Sequence, residues 1–152
     1  LLQSLLYRVH VQTNTGGAML YFAYGSNLNV AQMSQRCPQA EPLGSAYFPN
    51  LRLVFRGVAD IELTNDSNDL LPVGIWRITD ACLKALDLYE GVEGGLYDRV
   101  EINGMLTYKM NSIGIHQPSD FYFDIIKLGY EDFELDTTML YEAWDQTRRI
   151  AI

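Results

Sequence analysis

Short apolar runs separated by glycine, proline and asparagine predict a chain of brief strands and helices. The run Met19–Tyr24 is continuously apolar, as expected of a buried strand. Similar runs predict further strands at 43–48, 51–55, 58–63 and 71–78. Asn103-Gly104 separates two more strand-like segments, and this dipeptide is the strongest hairpin signal in the chain.

Helix signals lie between and after these strands. Asn29 is a suitable N-cap for a helix over 30–36, and Asp80 for one over 81–89 that ends at Gly91. Ser119 or Asp120 begins a third predicted helix over 121–128, and a last one is predicted over 137–149. Because strands and helices do not alternate regularly, the order predicts an α+β fold with a mainly antiparallel or barrel-like sheet.

The length of 152 residues is typical of one domain with a proper hydrophobic core. We expect the domain to span residues 19–152. Residues 1–18 are interpreted as an N-terminal extension or linker outside the core, because Gln12–Gly17 has the composition of a linker.

Charge and cysteine usage exclude several classes of function. The net charge is −8 and no basic stripe occurs, which argues against binding to nucleic acid or to an anionic membrane. No apolar run approaches ~20 residues, so no membrane span is predicted. Cys37 and Cys82 do not resemble a secreted disulfide framework, and we expect both to be free thiols in a cytoplasmic protein. Since cysteines and histidines are few and scattered, no metal or other cofactor is expected.

Glu90 is a carboxylate at a position where burial is expected. Leu83, Leu86 and Glu90 are spaced as one helical stripe, and the two leucines indicate that the stripe faces the core. Burial and the negative end of the helix dipole both raise the pKa of a carboxyl group, which favours general acid–base chemistry. The alternative is a solvated helix end, and Glu93 in the following glycine-rich turn is a rival candidate.

The segment Tyr24-Gly25-Ser26-Asn27 breaks the first strand with turn-forming and hydrogen-bonding residues. If a helix follows directly, backbone N–H groups of this turn are suited to a carboxylate ligand or a developing oxyanion. The alternative is a plain strand-to-helix turn. Tyr122 is core by default, but its hydroxyl is a candidate ligand contact.

At these residues the chain resembles the gamma-glutamylcyclotransferase-like family. The resemblance rests on three segments that span most of the predicted domain: Tyr21-Phe22-Ala23-Tyr24-Gly25-Ser26-Asn27-Leu28, then Leu86–Val92 with Gly95-Leu96-Tyr97, and Tyr122–Ile126 leading to Leu128-Gly129. After the last tyrosine the family is rich in glycine and alanine, whereas this chain continues Gly129-Tyr130-Glu131-Asp132.

The resemblance implies a small mixed or antiparallel β-barrel flanked by short helices, with a cavity at one side. It also implies cleavage of a γ-glutamyl amine by intramolecular cyclisation to 5-oxoproline, without a cofactor. Glu90 matches the family's catalytic glutamate. The substrate-binding residues implied are those of the first motif and one aromatic residue of the third: Tyr21, Phe22, Ala23, Tyr24, Gly25, Ser26, Asn27 and Tyr122.

Two functional hypotheses stay open from the sequence. The first is an enzyme acting on a small-molecule γ-glutamyl substrate, and the second is a non-catalytic module that binds a γ-glutamyl or amino-acid-like ligand. The leaving amine is not specified by any motif, and a homodimer remains an open alternative.

Overall fold

The computed structural model describes residues 18–150, so residues 1–17, which hold most of the expected N-terminal extension, lie outside the described part. The described chain contains seven strands and four α-helices: β1 (Met19–Ala23), α1 (Val30–Arg36), β2 (Glu41–Pro49), β3 (Leu51–Phe55), β4 (Ala59–Leu63), β5 (Leu70–Ile78), α2 (Asp80–Glu90), β6 (Tyr97–Ile102), β7 (Met105–Met110), α3 (Asp120–Asp132) and α4 (Thr138–Ile150). A short 3₁₀ turn, Ser26–Leu28, joins β1 to α1.

The strands form a five-stranded sheet in the order β2-β5-β1-β7-β6 and a separate two-stranded sheet, β3-β4. Strand β1 is central, antiparallel to β5 and parallel to β7. The remaining pairs, β2-β5, β6-β7 and β3-β4, are antiparallel. The α+β class and the mixed sheet are therefore confirmed, but the described strands do not form a closed barrel, because the hairpin β3-β4 pairs separately from the larger sheet.

Local signals located most element ends within a residue or two. The Asn29 side chain accepts from the N–H of Gln32 and caps α1, and Gly91 ends α2 in a left-handed conformation with φ 65°. Asn103 and Gly104 both have positive φ in the β6-β7 turn, as predicted for a two-residue hairpin. One cap differs: Thr79, not Asp80, caps α2, since its side chain accepts from the N–H of Cys82.

The core fills the space between the two sheets and the helices. Its largest fully buried side chains include Phe22, Phe55 and Trp76, and Trp76 packs edge-on against Phe133 with ring centroids 5.6 Å apart. Cys37 and Cys82 are free and buried. Among the described residues, no helix is both long and apolar enough to cross a membrane.

Helix α3 approaches the turn after β1 very closely at Gly129. A Cβ atom on Gly129 would lie 2.6 Å from the carbonyl carbon of Leu28 and 2.7 Å from the backbone nitrogen of Asn29. Glycine at this position thus lets the backbone of α3 pack directly against the turn. This contact between α3 and the 3₁₀ turn restrains the position of the turn.

Candidate active site

A cavity of about 200 Å³ opens where the ends of β1 and α2 meet β6, β7 and α3. It is walled mainly by aromatic and small residues, with one carboxylate: Tyr21, Tyr24, Gly25, Ser26, Asn27, Val58, Ala59, Tyr89, Glu90, Leu96, Tyr97, Thr107, Tyr108 and Tyr122. A concave, largely apolar site with a few converging polar groups is typical of small-molecule binding.

The turn after β1 forms one wall of this cavity. The N–H groups of Leu28 and Asn29 donate to the carbonyls of Gly25 and Ser26, so the N–H groups of Ser26 and Asn27 are left outside the turn's own hydrogen bonds. A Cβ atom on Gly25 would lie 2.9 Å from the Cβ of Ala59 and 3.4 Å from the Tyr122 hydroxyl. Gly25 therefore allows β4 and α3 to close over the turn.

Glu90 is the last residue of α2 and lies opposite this turn. Leu86 on the same stripe is fully buried and Leu83 is half-buried, so the helix presents Glu90 inward as its spacing predicted. The Asn27 amide nitrogen donates to Glu90 Oε1 at 3.3 Å and to the Tyr21 hydroxyl at 3.0 Å. These contacts place the carboxylate beside the turn.

The pKa of the Glu90 carboxyl group is shifted towards neutral pH. Burial raises the pKa of the Glu90 carboxyl to about 7, and the nearby positive charge of Arg36 partly opposes that increase. Burial also raises the pKa of the Tyr21, Tyr97 and Tyr122 hydroxyls, which are therefore neutral at pH 7. A group that titrates near pH 7 inside a cavity can both accept and donate a proton.

Several tyrosine hydroxyls are anchored to the surrounding framework. The Tyr24 hydroxyl donates to the carbonyl of Tyr108 at 2.6 Å, and Tyr97 donates to the carbonyl of Ala59 at 2.6 Å. The Tyr122 hydroxyl accepts from the N–H of Ala59 at 3.0 Å. These hydrogen bonds fix the tyrosine rings around the cavity, because buried polar groups are nearly always hydrogen-bonded.

The structure brings together most, but not all, of the residues expected from the sequence. Glu90, Tyr122 and the first-motif residues Tyr21, Tyr24, Gly25, Ser26 and Asn27 line the cavity. Phe22 and Ala23 do not: Phe22 packs edge-on against Phe48 with centroids 5.0 Å apart, and Ala23 is buried in the sheet opposite Gly74. Successive side chains of a strand point to opposite faces, so Phe22 is turned away from the cavity that its neighbour Tyr21 lines. Glu93 is exposed and is not among the lining residues.

Other lining residues were not anticipated from sequence. They come from α2, β4, β6, β7 and the loops that precede β4 and β6: Val58, Ala59, Tyr89, Leu96, Tyr97, Thr107 and Tyr108. Arg36 was expected only to end α1, but it donates to the Asn27 side chain at 2.7 Å. Tyr89, Leu96 and Tyr97 belong to the second segment of the resemblance, which assigned them no role in the site. No local pattern marks the others, since long-range packing assembles them. Among residues 18–150, no group of three His, Cys, Asp or Glu side chains is placed to bind a metal ion.

Comparisons with known proteins agree with this α+β fold. No protein-family model matches the chain. It is 26% identical to gamma-glutamylcyclotransferase of Bos taurus, over 80% of this chain and 75% of the bovine protein, and 28% identical to the Mus musculus protein of that name, over 77% and 72%. A crystal structure of an uncharacterized Homo sapiens protein covers 86% of both chains at 25% identity with a TM-score of 0.67.

Two further solved structures share the fold. One is named gamma-glutamyl cyclotransferase and has a TM-score of 0.66 at 24% identity, covering 86% of each chain. YkqA of Bacillus subtilis has a TM-score of 0.69 at 22% identity, covering 86% of this chain and 54% of YkqA. The fold and the cavity thus define a small α+β protein with a candidate small-molecule site. The chain is similar in sequence to proteins named gamma-glutamylcyclotransferase, which agrees with the resemblance of its motifs to that family.

Proposed function

We propose that the protein is a gamma-glutamylcyclotransferase-type enzyme, which cleaves a γ-glutamyl amine to 5-oxoproline and a free amine. The observation that carries this proposal is the position of Glu90, a carboxylate with a pKa of about 7 that lies beside the Gly25–Asn27 turn in the cavity. The bovine and murine relatives named gamma-glutamylcyclotransferase support the same reaction class.

The cavity holds the glutamyl chain of the substrate in a folded conformation, in which its α-amino group faces its own γ-carbonyl. The N–H groups of Ser26 and Asn27, which take no part in the turn's own hydrogen bonds, hold the substrate's α-carboxylate and steady the carbonyl oxygen. Because the attack is intramolecular, correct orientation lowers the barrier by several kcal/mol, roughly 7–11 in the best cases. The anchored tyrosine rings shape the cavity around the curled chain.

Glu90 moves the protons. The Glu90 carboxylate takes one proton from the substrate's ammonium group, and the freed amine attacks the γ-carbonyl carbon to form the ring C–N bond. Glu90 then gives that proton to the departing amide nitrogen, whose bond to the carbonyl carbon breaks. The ring nitrogen loses a second proton to the carboxylate and keeps one hydrogen, and the second proton passes to the released amine. Such a shuttle typically contributes about 10² to 10⁴ in rate.

Product analysis tests the reaction class. The protein is incubated with γ-glutamyl amino acids, γ-glutamyl-ε-lysine, glutathione-like peptides and γ-glutamylated secondary metabolites, and 5-oxoproline is measured. We expect 5-oxoproline and an equal amount of free amine from at least one substrate. Saturable binding of 5-oxoproline without turnover of any substrate would instead assign the cavity to a non-catalytic binding module.

The acidic limb of the pH profile should lie near pH 7. Glu90 accepts the first proton only as a carboxylate, and this form is lost as the pH falls through its pKa of about 7. We therefore expect kcat/KM to fall by about tenfold for each pH unit below that value. The measurement is kcat/KM for the best substrate between about pH 5 and 8. A limb near 4.5, the ordinary pKa of a glutamate, would contradict the proposed environment.

A further inference from the structure

We infer that Arg36 is a positioning residue of this site, which orients the Asn27 side-chain amide and thereby places the Glu90 carboxylate. The inference rests on the proposed function of Glu90. Arg36 does not line the cavity, so it acts through Asn27 and not on the substrate.

The direction of the hydrogen bonds determines how the Asn27 amide is turned. Arg36 has only donors, and its Nη1 donates to Asn27 Oδ1 at 2.7 Å. The amide nitrogen must then face the opposite way, towards the Tyr21 hydroxyl and Glu90 Oε1, which accept from it at 3.0 and 3.3 Å. A reversed amide would set its oxygen against the carboxylate. Arg36 therefore selects the orientation that donates to Glu90.

Arg36 is itself held in place from two sides. Its Nη2 donates to Gln32 Oε1 at 2.5 Å, one turn earlier on α1. The guanidinium carbon also lies 3.7 Å from the centroid of the Tyr89 ring, which is a close cation–π contact. Tyr89 precedes Glu90 on α2, and its hydroxyl lies 3.1 Å from the Ser26 hydroxyl. Arg36 thus connects α1, the 3₁₀ turn and the end of α2 by direct contacts.

The same arrangement gives Glu90 a positive neighbour. The positive charge of Arg36 lowers the pKa of Glu90, against the larger effect of burial. Among the residues that the structure describes, the other titratable groups that face Glu90 come from β1 and the residue after it, from β6 and from α3, and all are tyrosines: Tyr21, Tyr24, Tyr97 and Tyr122. Since these are neutral at pH 7, we expect loss of the Arg36 charge to raise the pKa of Glu90 further.

The test compares Arg36→Gln, which removes the charge but keeps a donor, with Arg36→Lys, which keeps the charge. For Arg36→Gln we expect the acidic limb of kcat/KM to move up by about one pH unit. We also expect kcat at pH 7 to fall by roughly tenfold with KM little changed, because Arg36 does not touch the substrate. Arg36→Lys should restore the limb to the wild-type position. Arg36→Met, whose stem also covers Tyr89, is a second neutral variant with the same expectation should Arg36→Gln fail to fold.

Arg52→Gln is the matched control, because it removes one exposed arginine charge from β3, where Arg52 pairs with Glu62. Its pH profile should equal that of the wild type. A direct NMR titration of the Glu90 carboxyl group needs no substrate, so it tests Arg36 even if no 5-oxoproline is found. An unmoved Glu90 pKa in the neutral variants overturns the role of Arg36, whereas absence of product from the wild type overturns the proposed function instead.

Discussion

Glu90→Gln is expected to remove nearly all turnover while leaving the protein folded. Glutamine has nearly the same shape as glutamate and its side-chain oxygen still accepts from Asn27, so the 3.3 Å contact is retained. The amide cannot take the ammonium proton, however. We expect kcat to fall by about 10² to 10⁴, the usual contribution of general acid–base catalysis. The measurement is steady-state release of 5-oxoproline at pH 8, where the wild-type carboxylate is ionised.

Glu93→Gln is the matched control for this prediction. It makes the same chemical change three positions further along, on an exposed side chain that does not line the cavity. Its kinetic constants should equal those of the wild type. Near-normal turnover by Glu90→Gln on a confirmed substrate would exclude Glu90 as the proton shuttle, and a large defect in Glu93→Gln would reassign that role.

The same substitution has a separate signature in stability. The pKa of Glu90 is about 7 in the folded protein and near 4.5 when exposed, so its contribution to stability is fully present below pH 4.5 and is lost as the pH rises through 7. Above that pH the wild type carries a buried charge that Glu90→Gln lacks. We expect Glu90→Gln to be the more stable of the two at pH 8, by up to roughly 3 kcal/mol. Denaturant unfolding at pH 5 and at pH 8 checks this, and equal stability at pH 8 would contradict a buried carboxylate.

Gly129→Ala is expected to destabilise the protein and to displace the site turn. The new methyl group would lie 2.6 Å from the carbonyl carbon and the Cβ of Leu28. These are backbone and near-backbone atoms, which cannot move aside as the end of a flexible side chain can. In an unobstructed helix the same change would stabilise by about 1 kcal/mol, through higher helix propensity. Here steric overlap should dominate, with a net loss of roughly 1–3 kcal/mol.

Gly129→Ala should also lower the catalytic activity, because Leu28 belongs to the turn whose residues Ser26 and Asn27 line the cavity. Gly94→Ala is the matched control: its Cβ would meet nothing nearer than the Gly91 carbonyl oxygen at 3.7 Å. Urea unfolding of the two variants measures the difference. Unchanged or increased stability of Gly129→Ala would show that α3 does not press on the turn as described.

Much of the local structure followed from short-range rules. Asn29 caps α1, Gly91 ends α2 and Asn103-Gly104 forms the β6-β7 turn, because each depends on bonds and backbone angles within a few residues. The helical spacing of Leu83, Leu86 and Glu90 likewise predicted an inward-facing carboxylate. The contiguous first motif was less informative, because strand geometry turns Phe22 away from the cavity.

By itself, then, the sequence determined the α+β class, most element boundaries, the partial burial of Glu90 and the resemblance to the gamma-glutamylcyclotransferase-like family. Tertiary structure alone decided that the described strands form two sheets and not a closed barrel, and that Ala59, Thr107 and Tyr108 complete the cavity. It alone also placed Arg36 against Asn27. The physical reason is range: caps, turns and helical stripes are set by neighbours along the chain, whereas strand pairing and cavity walls depend on contacts between distant segments.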